Sequence, residues 1–104
     1  MREEYRTPVH EMDRIKAGLA RHLVAASLGV PVDAMAPGVR RGTTACRARW
    51  LALYLAHVSY GWTLERVAHV FGVNRATAGV ACRWSEDQRD QPQIDALLET
   101  LEGQ

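Results

Sequence analysis

Two helix-start signals in the second half of the sequence constrain the fold more than any other feature. Thr63 can cap a short helix in TLERVAHVFG, because its hydroxyl can accept hydrogen bonds from backbone N–H groups that a helix leaves unpaired. Gly72 ends this helix, and Asn74 caps a second helix that begins RATAGVACRW. Two helices joined by so short a turn are typical of a helix-turn-helix motif.

The first third of the chain predicts another helix, over residues 10–28. Apolar side chains recur there at spacings of three and four, which predicts a helix with one apolar, buried face. The residues of that face are Met12, Ile15, Leu19, Leu23 and Ala26. Gly29 ends this helix, and the sequence allows a short helical turn over 32–35.

Two further helices complete the pattern, and no segment is convincing as a strand. One is predicted over about 45–59, and Pro92 begins the other, which Gly103 closes. The expected core positions of the 45–59 helix and its flanking aromatic residues are Ala48, Leu51, Ala52, Leu55, Val58, Trp50 and Tyr54. Trp62 is also expected at the core, whereas the sequence gives no account of Trp84.

These elements predict an all-α fold, a compact helical domain of about five to six helices. At 104 residues, 47% apolar and 24% charged, the chain has the composition of a globular domain that needs no metal or disulfide. We expect a single domain over 1–104. Its parts are a flexible segment 1–9, a leading helix 10–29, a basic loop 36–46, the helix-turn-helix 63–90 and a C-terminal helix 92–102.

The net charge of +1 conceals a strong polarity along the chain. Residues 40–83 contain seven arginines and one acid, Glu65, whereas residues 84–104 contain one arginine and six acids. Such a basic block suits DNA, RNA or an acidic protein partner. The acidic tail is expected to face away from a nucleic acid, or to be an interaction helix with a ridge of Leu97, Leu98 and Leu101.

Catalytic, metal and cofactor sites are not expected. The sequence has no nucleophile elbow, phosphate-binding glycine loop or zinc-protease motif. Cys46 and Cys82 are far apart and are expected to be small buried thiols, and the four histidines form no ligand motif. No apolar run approaches the roughly 20 residues of a membrane span, and the charged start lacks a signal-peptide core. We therefore expect a cytoplasmic protein without membrane contact.

Residues from about Arg40 to Arg89 resemble the C-terminal DNA-binding domain of the bacterial replication initiator DnaA. CRARWLALYLA is similar to the family segment ARxRQxAMYLA, and TLERVAHVFGVNRATAGVACRWSED to SLxxIGxxFGxRDHTTVxHACRKIE. The matching positions are Arg47, Arg49, Leu51, Ala52, Tyr54, Leu55, Ala56, Phe71, Gly72, Thr77, Ala81, Cys82, Arg83 and Glu86. The resemblance implies the DnaA C-terminal (TrpR-like) fold as a stand-alone or fused domain.

In that family a loop arginine enters the minor groove, and the second helix of the motif reads the major groove through an Asp-His-Thr-Thr cluster. The resemblance places Asn74, Arg75, Ala76 and Thr77 at those four positions. Val73 replaces the Arg before them, and Gly79 and Val80 replace later residues of the motif. The loop arginine falls nearest Thr43, so Arg40 or Arg41 would substitute. The resemblance therefore implies a DNA-binding domain that does not read the initiator's usual box.

The candidate DNA-binding residues are Arg40, Arg41, Arg47, Arg49, Thr63, Leu64, Asn74, Arg75, Thr77 and Arg83. Arg75 is placed for guanine, Thr77 for a phosphate or a thymine methyl, and the other arginines for phosphates. Backbone N–H groups at Thr63 and Leu64 form a potential anion site. Two alternatives remain open: Asn74 only caps its helix, and Arg83 only pairs with Glu86 or Asp87.

The leading functional hypothesis is a sequence-specific regulator of transcription that binds double-stranded DNA as a monomer and is therefore nucleoid-associated. Domains resembling this one include an activator of gene-transfer-agent genes, and partners in the transcription machinery are conceivable. One alternative is a replication-linked binder of, or competitor for, DnaA boxes, although Val73 and Ala76 lack the required side chains. Another is a protein-interaction module whose DNA recognition has decayed.

Overall fold

The computed structural model describes residues 9–35 and 43–103, and all regular structure in these two segments is helical. The α-helices are α1 (Glu11–Leu28), α2 (Thr43–Tyr60), α3 (Leu64–Phe71), α4 (Arg75–Gln88) and α5 (Pro92–Glu102). A 3₁₀ turn over Val32–Met35 follows α1. The expectation of an all-α fold is thus confirmed. The expected flexible segment 1–9 lies outside the described residues, apart from Val9.

The helix boundaries follow from local capping chemistry. The Thr63 side chain accepts a hydrogen bond from the Arg66 N–H, and the Asn74 side chain accepts one from the Thr77 N–H. Gly29 and Gly72 end α1 and α3 with φ of +68° and +74°, a left-handed conformation that glycine adopts without steric cost. The predicted basic loop is too long by four residues, because α2 already begins at Thr43.

Helix α2 is the centre of the molecule and contacts all four other α-helices. Its residues 51–56 are all buried, which a helix can achieve only when neighbours cover every side. Val58, which we expected on the buried side, is 41% exposed, and it lies in the last turn of α2, after this buried stretch. Trp62 is buried as expected, whereas Trp50 is half-buried at the edge of the core.

Helix α1 buries the opposite face from the one that its large apolar residues predict. Met12, Ile15 and Leu19 are 52%, 58% and 52% exposed, and Ala26 is also exposed. Leu23 is the one residue of the predicted face that packs half-buried against the core. The core takes small side chains instead, namely Ala17, Ala20, Val24 and Ala25. α2 also carries fully buried alanines, at positions 48, 52 and 56. Small residues on both sides allow the two helix backbones to approach closely, and this packing outweighs the larger apolar area on the other face of α1.

An ion pair joins the start of α1 to α3. The Arg66 guanidinium donates from Nε to Asp13 Oδ2 at 3.0 Å and from Nη2 to Asp13 Oδ1 at 2.7 Å. The same guanidinium lies 4.7 Å from the centre of the Trp62 ring. The hydrogen bond from Arg66 lowers the pKa of Asp13. One of the seven arginines of the basic block is therefore engaged in holding the fold.

Helix α5 belongs to the core and does not present its leucine ridge to solvent. Leu98 and Leu101 are buried, and Leu97 packs half-buried beside them. Arg89, at the end of α4, donates to Asp95 at 2.7 Å, to Glu102 at 2.9 Å and to the Tyr54 hydroxyl at 3.0 Å. This cluster joins α2, α4 and α5. Two of the six acids of the tail, Asp95 and Glu102, are therefore paired with Arg89.

Candidate nucleic-acid interface

The solvent-exposed side of helix α4 begins with small side chains. Ala76, Val80, Arg83 and Asp87 are all exposed at spacings of four, three and four, so they form one stripe along the helix. We call this stripe the outer face of α4. The opposite side, with Ala78, Ala81, Cys82 and Ser85, is buried against the core. Small residues of α4 therefore have two roles. Ala78 and Ala81 allow close packing against the core, and Ala76 adds little bulk to the exposed side.

Asn74 caps α4 in this structure. Its Oδ1 accepts from the Thr77 N–H at 2.7 Å, which satisfies one of the free donors of the first turn. The side chain is exposed beside Arg75 and Ala76, at the N-terminal end of the outer face. Thr77 is half-buried at the edge of this surface.

Arg75 projects into solvent and is not part of the interior, with its side chain 62% exposed. Its Nε donates to Oε2 of Glu65 at 2.9 Å, and the Glu65 side chain is 69% exposed. We did not predict this pair from the sequence. The available signal was that Glu65 is the one acid among seven arginines over residues 40–83.

The Arg83 side chain extends towards Gly79, one turn earlier in α4, and does not pair with the acids that follow Arg83. Within the described residues it forms no ion pair with Glu86 or Asp87, and Glu86 instead accepts a short hydrogen bond from the Tyr54 hydroxyl. An alanine Cβ built at Gly79 would lie 3.6 Å from Arg83 Nη1. The guanidinium therefore rests over the glycine, on the side of α4 that faces α3.

Replacing Gly79 with alanine is expected to raise the free energy of unfolding by about 0.5–1 kcal/mol. The added Cβ would meet Arg83 Nη1 at 3.6 Å and Leu64 Cδ1 at 4.0 Å, both ordinary contacts, so the gain in helix propensity should not be offset by a clash. Thermal unfolding followed by circular dichroism measures this difference. A lower melting temperature would show that α4 needs the glycine for packing.

A second pair of basic side chains, Arg47 and Arg49, lies in the first turns of α2. The Arg47 guanidinium lies 6.0 Å from the centre of the Trp84 ring, and Trp84 packs edge-on against Trp50 with 5.7 Å between ring centres. Trp84, which sequence reasoning left unexplained, thus packs beside Arg47. Arg47 is exposed, and Arg49 is half-buried on the same helix. Arginine therefore lies on both sides of the outer face of α4: Arg75 beside α3 and Arg47 beside Trp84.

The N-terminus of α3 is a weaker anion site than the sequence suggested. The Thr63 hydroxyl already accepts from the Arg66 N–H at 3.2 Å. The N–H groups of Leu64 and Glu65 have no acceptor within their helix, because the first turn of a helix lacks one. The Glu65 carboxylate in that turn opposes a second anion there, and its bond to Arg75 only partly offsets this.

Two of the candidate residues, Arg40 and Arg41, lie outside the described residues. Over 9–35 and 43–103, the histidines, cysteines and acids form no group that could hold a metal ion. Cys82 is buried, and burial raises the pKa of its thiol, whereas Cys46 is only half-buried. No helix in the described segments is long and apolar enough to cross a membrane.

Comparisons of the chain with known proteins return no match, whether with protein-family models, with curated proteins or with solved structures. The likeness to the initiator domain therefore depends on the two sequence segments quoted above.

Proposed function

We propose that this chain binds double-stranded DNA and regulates transcription, with α3 and α4 as a helix-turn-helix of the DnaA C-terminal type. α4 would enter the major groove by its N-terminal half. The observation that carries the proposal is the outer face of α4, where small side chains lie between exposed arginines. A narrow face lets a helix approach base edges, and arginines beside it can reach phosphates and guanine.

The acids of α4 itself, Glu86 and Asp87, lie in its C-terminal half, which supports contact through the N-terminal half. The one acid near the N-terminal half, Glu65 of α3, is paired with Arg75. Arg75, Ala76 and Val80 occupy that half, whereas Asp87 is exposed near the C-terminal end. An exposed carboxylate repels phosphate, so the C-terminal end is the less favourable part of this surface. Helix-turn-helix proteins generally contact base edges with the first residues of the second helix.

Two residues of the chain argue against binding to the initiator's own box. Val73, at the position where the resembling family has Arg, packs half-buried against the core cluster. Ala76, at a Thr position, has only a methyl group to offer. A chain with these residues requires another target sequence, which favours a transcription regulator over a competitor for replication boxes.

A second candidate function, a protein-interaction module, is favoured by α1. Met12, Ile15 and Leu19 together form an exposed apolar surface on this helix. Contiguous exposed apolar surface of this kind is more common at interaction sites than elsewhere. The apolar surface lies on a different helix from the outer face of α4, so a partner at α1 would not need α4 to recognise DNA.

Salt-dependent binding tests the proposal. With four to six phosphates engaged, the log–log slope of affinity against salt concentration should be about −4 to −5, and Arg47→Ala/Arg49→Ala should reduce it by about 2. Arg75→Ala should instead remove the preference for one sequence, while the log–log slope of affinity against salt concentration stays nearly unchanged. The measurement is a gel-shift titration at several salt concentrations, on fragments selected from random DNA.

The matched control is Arg14→Ala, which removes an exposed arginine from α1. It should change the slope by well under one unit if the contacts are made by α2 and α4. Equal losses for the control and for the Arg47/Arg49 variant would indicate unspecific attraction to the whole molecule. Feeble binding to all fragments, unchanged by Arg75→Ala, would favour the interaction module.

A further inference from the structure

Glu65 is an acid at a position where a DNA-binding surface would be expected to lack one. It is the single acid among seven arginines over residues 40–83, and its exposed carboxylate lies beside the proposed interface. An exposed ion pair contributes little to stability, so its pairing with Arg75 is a weak reason for its presence. Close to a phosphate backbone, its charge also opposes binding. Its position therefore points to a role in how Arg75 is held.

The hydrogen bond engages one edge of the Arg75 guanidinium and leaves the other available. Glu65 Oε2 accepts from Nε at 2.9 Å, on the side edge of the group. The two Nη atoms have no hydrogen bond within the described residues, so both remain available as donors at the end of the guanidinium. That end carries the pair of donors that matches O6 and N7 of guanine in the major groove.

We propose that Glu65 is a positioning residue that makes this surface selective for guanine, by fixing Arg75 with its two Nη donors directed at a base edge. This inference rests on the proposed DNA-binding function and deepens it. An arginine without such a partner samples many rotamers and reaches nearby phosphates equally well. Glu65 thus lowers the affinity for DNA in general, because its charge repels the phosphate backbone, and it raises the preference for one sequence.

The neighbouring residues are consistent with an arginine that contacts a base. Ala76 and Val80 offer only methyl groups, so neither of these two side chains competes with Arg75 for a guanine edge. Asn74 has its side-chain oxygen engaged by the Thr77 N–H. Arg83 lies over Gly79, farther along the helix. Arg75 is therefore the side chain of this end of α4 best placed for guanine.

The test uses 7-deazaguanine, which keeps O6 of guanine but lacks N7. Fragments are first selected from random DNA with the intact protein, and each guanine of the best fragment is then replaced in turn. Fluorescence anisotropy gives the dissociation constants for the intact protein and for Glu65→Ala, Glu65→Gln and Arg75→Ala. The control Glu99→Ala removes an exposed acid from α5 and reports the effect of charge alone.

For the intact protein, 7-deazaguanine at one position should weaken binding about tenfold, as expected for loss of a bidentate base contact. Glu65→Ala and Arg75→Ala should each reduce this penalty to under about threefold, and together they should reduce it no further. Glu65→Gln keeps an acceptor for Nε and should retain part of the penalty. Glu65→Ala should also bind random DNA at least about twofold more tightly, and more so than Glu99→Ala.

Three outcomes would overturn the inference, and they are distinguishable from each other. A full penalty in Glu65→Ala would show that Arg75 needs no positioning. Tight, selective binding without a 7-deazaguanine penalty at any position would exclude the guanine contact while leaving the proposed function intact. Absence of DNA binding by the intact protein would remove the proposed function, and the inference with it.

Discussion

Replacing Arg89 with alanine should lower the free energy of unfolding by about 2–3 kcal/mol. Arg89 is 19% exposed and donates hydrogen bonds to Asp95, Glu102 and the Tyr54 hydroxyl. Its removal would leave two carboxylates facing each other without a cation. A fully buried pair would cost more, but Asp95 and Glu102 are 40% and 28% exposed and water can solvate them in part.

Urea unfolding followed by tryptophan fluorescence measures this loss, and Arg83→Ala is the matched control. Arg83 is an exposed arginine on the same helix and forms no ion pair within the described residues, so its loss should change stability by under about 0.5 kcal/mol. Equal losses in the two variants would show that the Arg89 cluster contributes no more than a surface charge.

The Arg89 cluster also fixes the geometry behind the proposed interface. Arg89 follows the last turn of α4, and its partners lie on α5 and at Tyr54 of α2. Hydrogen bonding by Asp95 and Tyr54 raises the pKa of Arg89, so the cluster retains its cation at every ordinary pH. The acidic tail, which we expected to face away from nucleic acid or to bind a partner, thus helps to hold α4 in place.

The ends of the helices could be predicted from the sequence because they depend on near neighbours. Thr63 and Asn74 cap their helices through donors three residues away, and Gly72 provides the left-handed residue after α3. Each of these effects involves one turn of chain. The same locality explains why Asn74 could be expected as a cap and Arg75 as an exposed residue of the next helix.

Long-range pairings could not be read from the sequence. Glu65 and Arg75 are on different helices, and their hydrogen bond depends on how α3 packs on α4. The same is true of Trp84, which contacts Trp50 and Arg47 of α2. A lone acid in a basic block and an unexplained tryptophan were visible as anomalies, but only the packed structure supplies their partners.

The orientation of α1 is the largest disagreement between pattern and structure, and it has a physical reason. Periodicity selects the face with the most apolar area, which is that of Met12, Ile15 and Leu19. The structure instead buries Ala17 and Ala20 against the helices beneath. A helix that is apolar on both faces leaves the pattern ambiguous, and close backbone packing then decides which face is buried.

Ala20→Leu should accordingly lower the free energy of unfolding by about 2 kcal/mol, whereas Leu19→Ala should lower it by under about 1 kcal/mol. Ala20 has no exposed surface, so three additional carbon atoms must displace neighbouring helices or adopt strained rotamers. Leu19 is 52% exposed and loses only part of its contacts on truncation. Urea unfolding of both variants compares adjacent positions on one helix. A larger loss for Leu19→Ala than for Ala20→Leu would mean that α1 packs by the face its sequence pattern predicts.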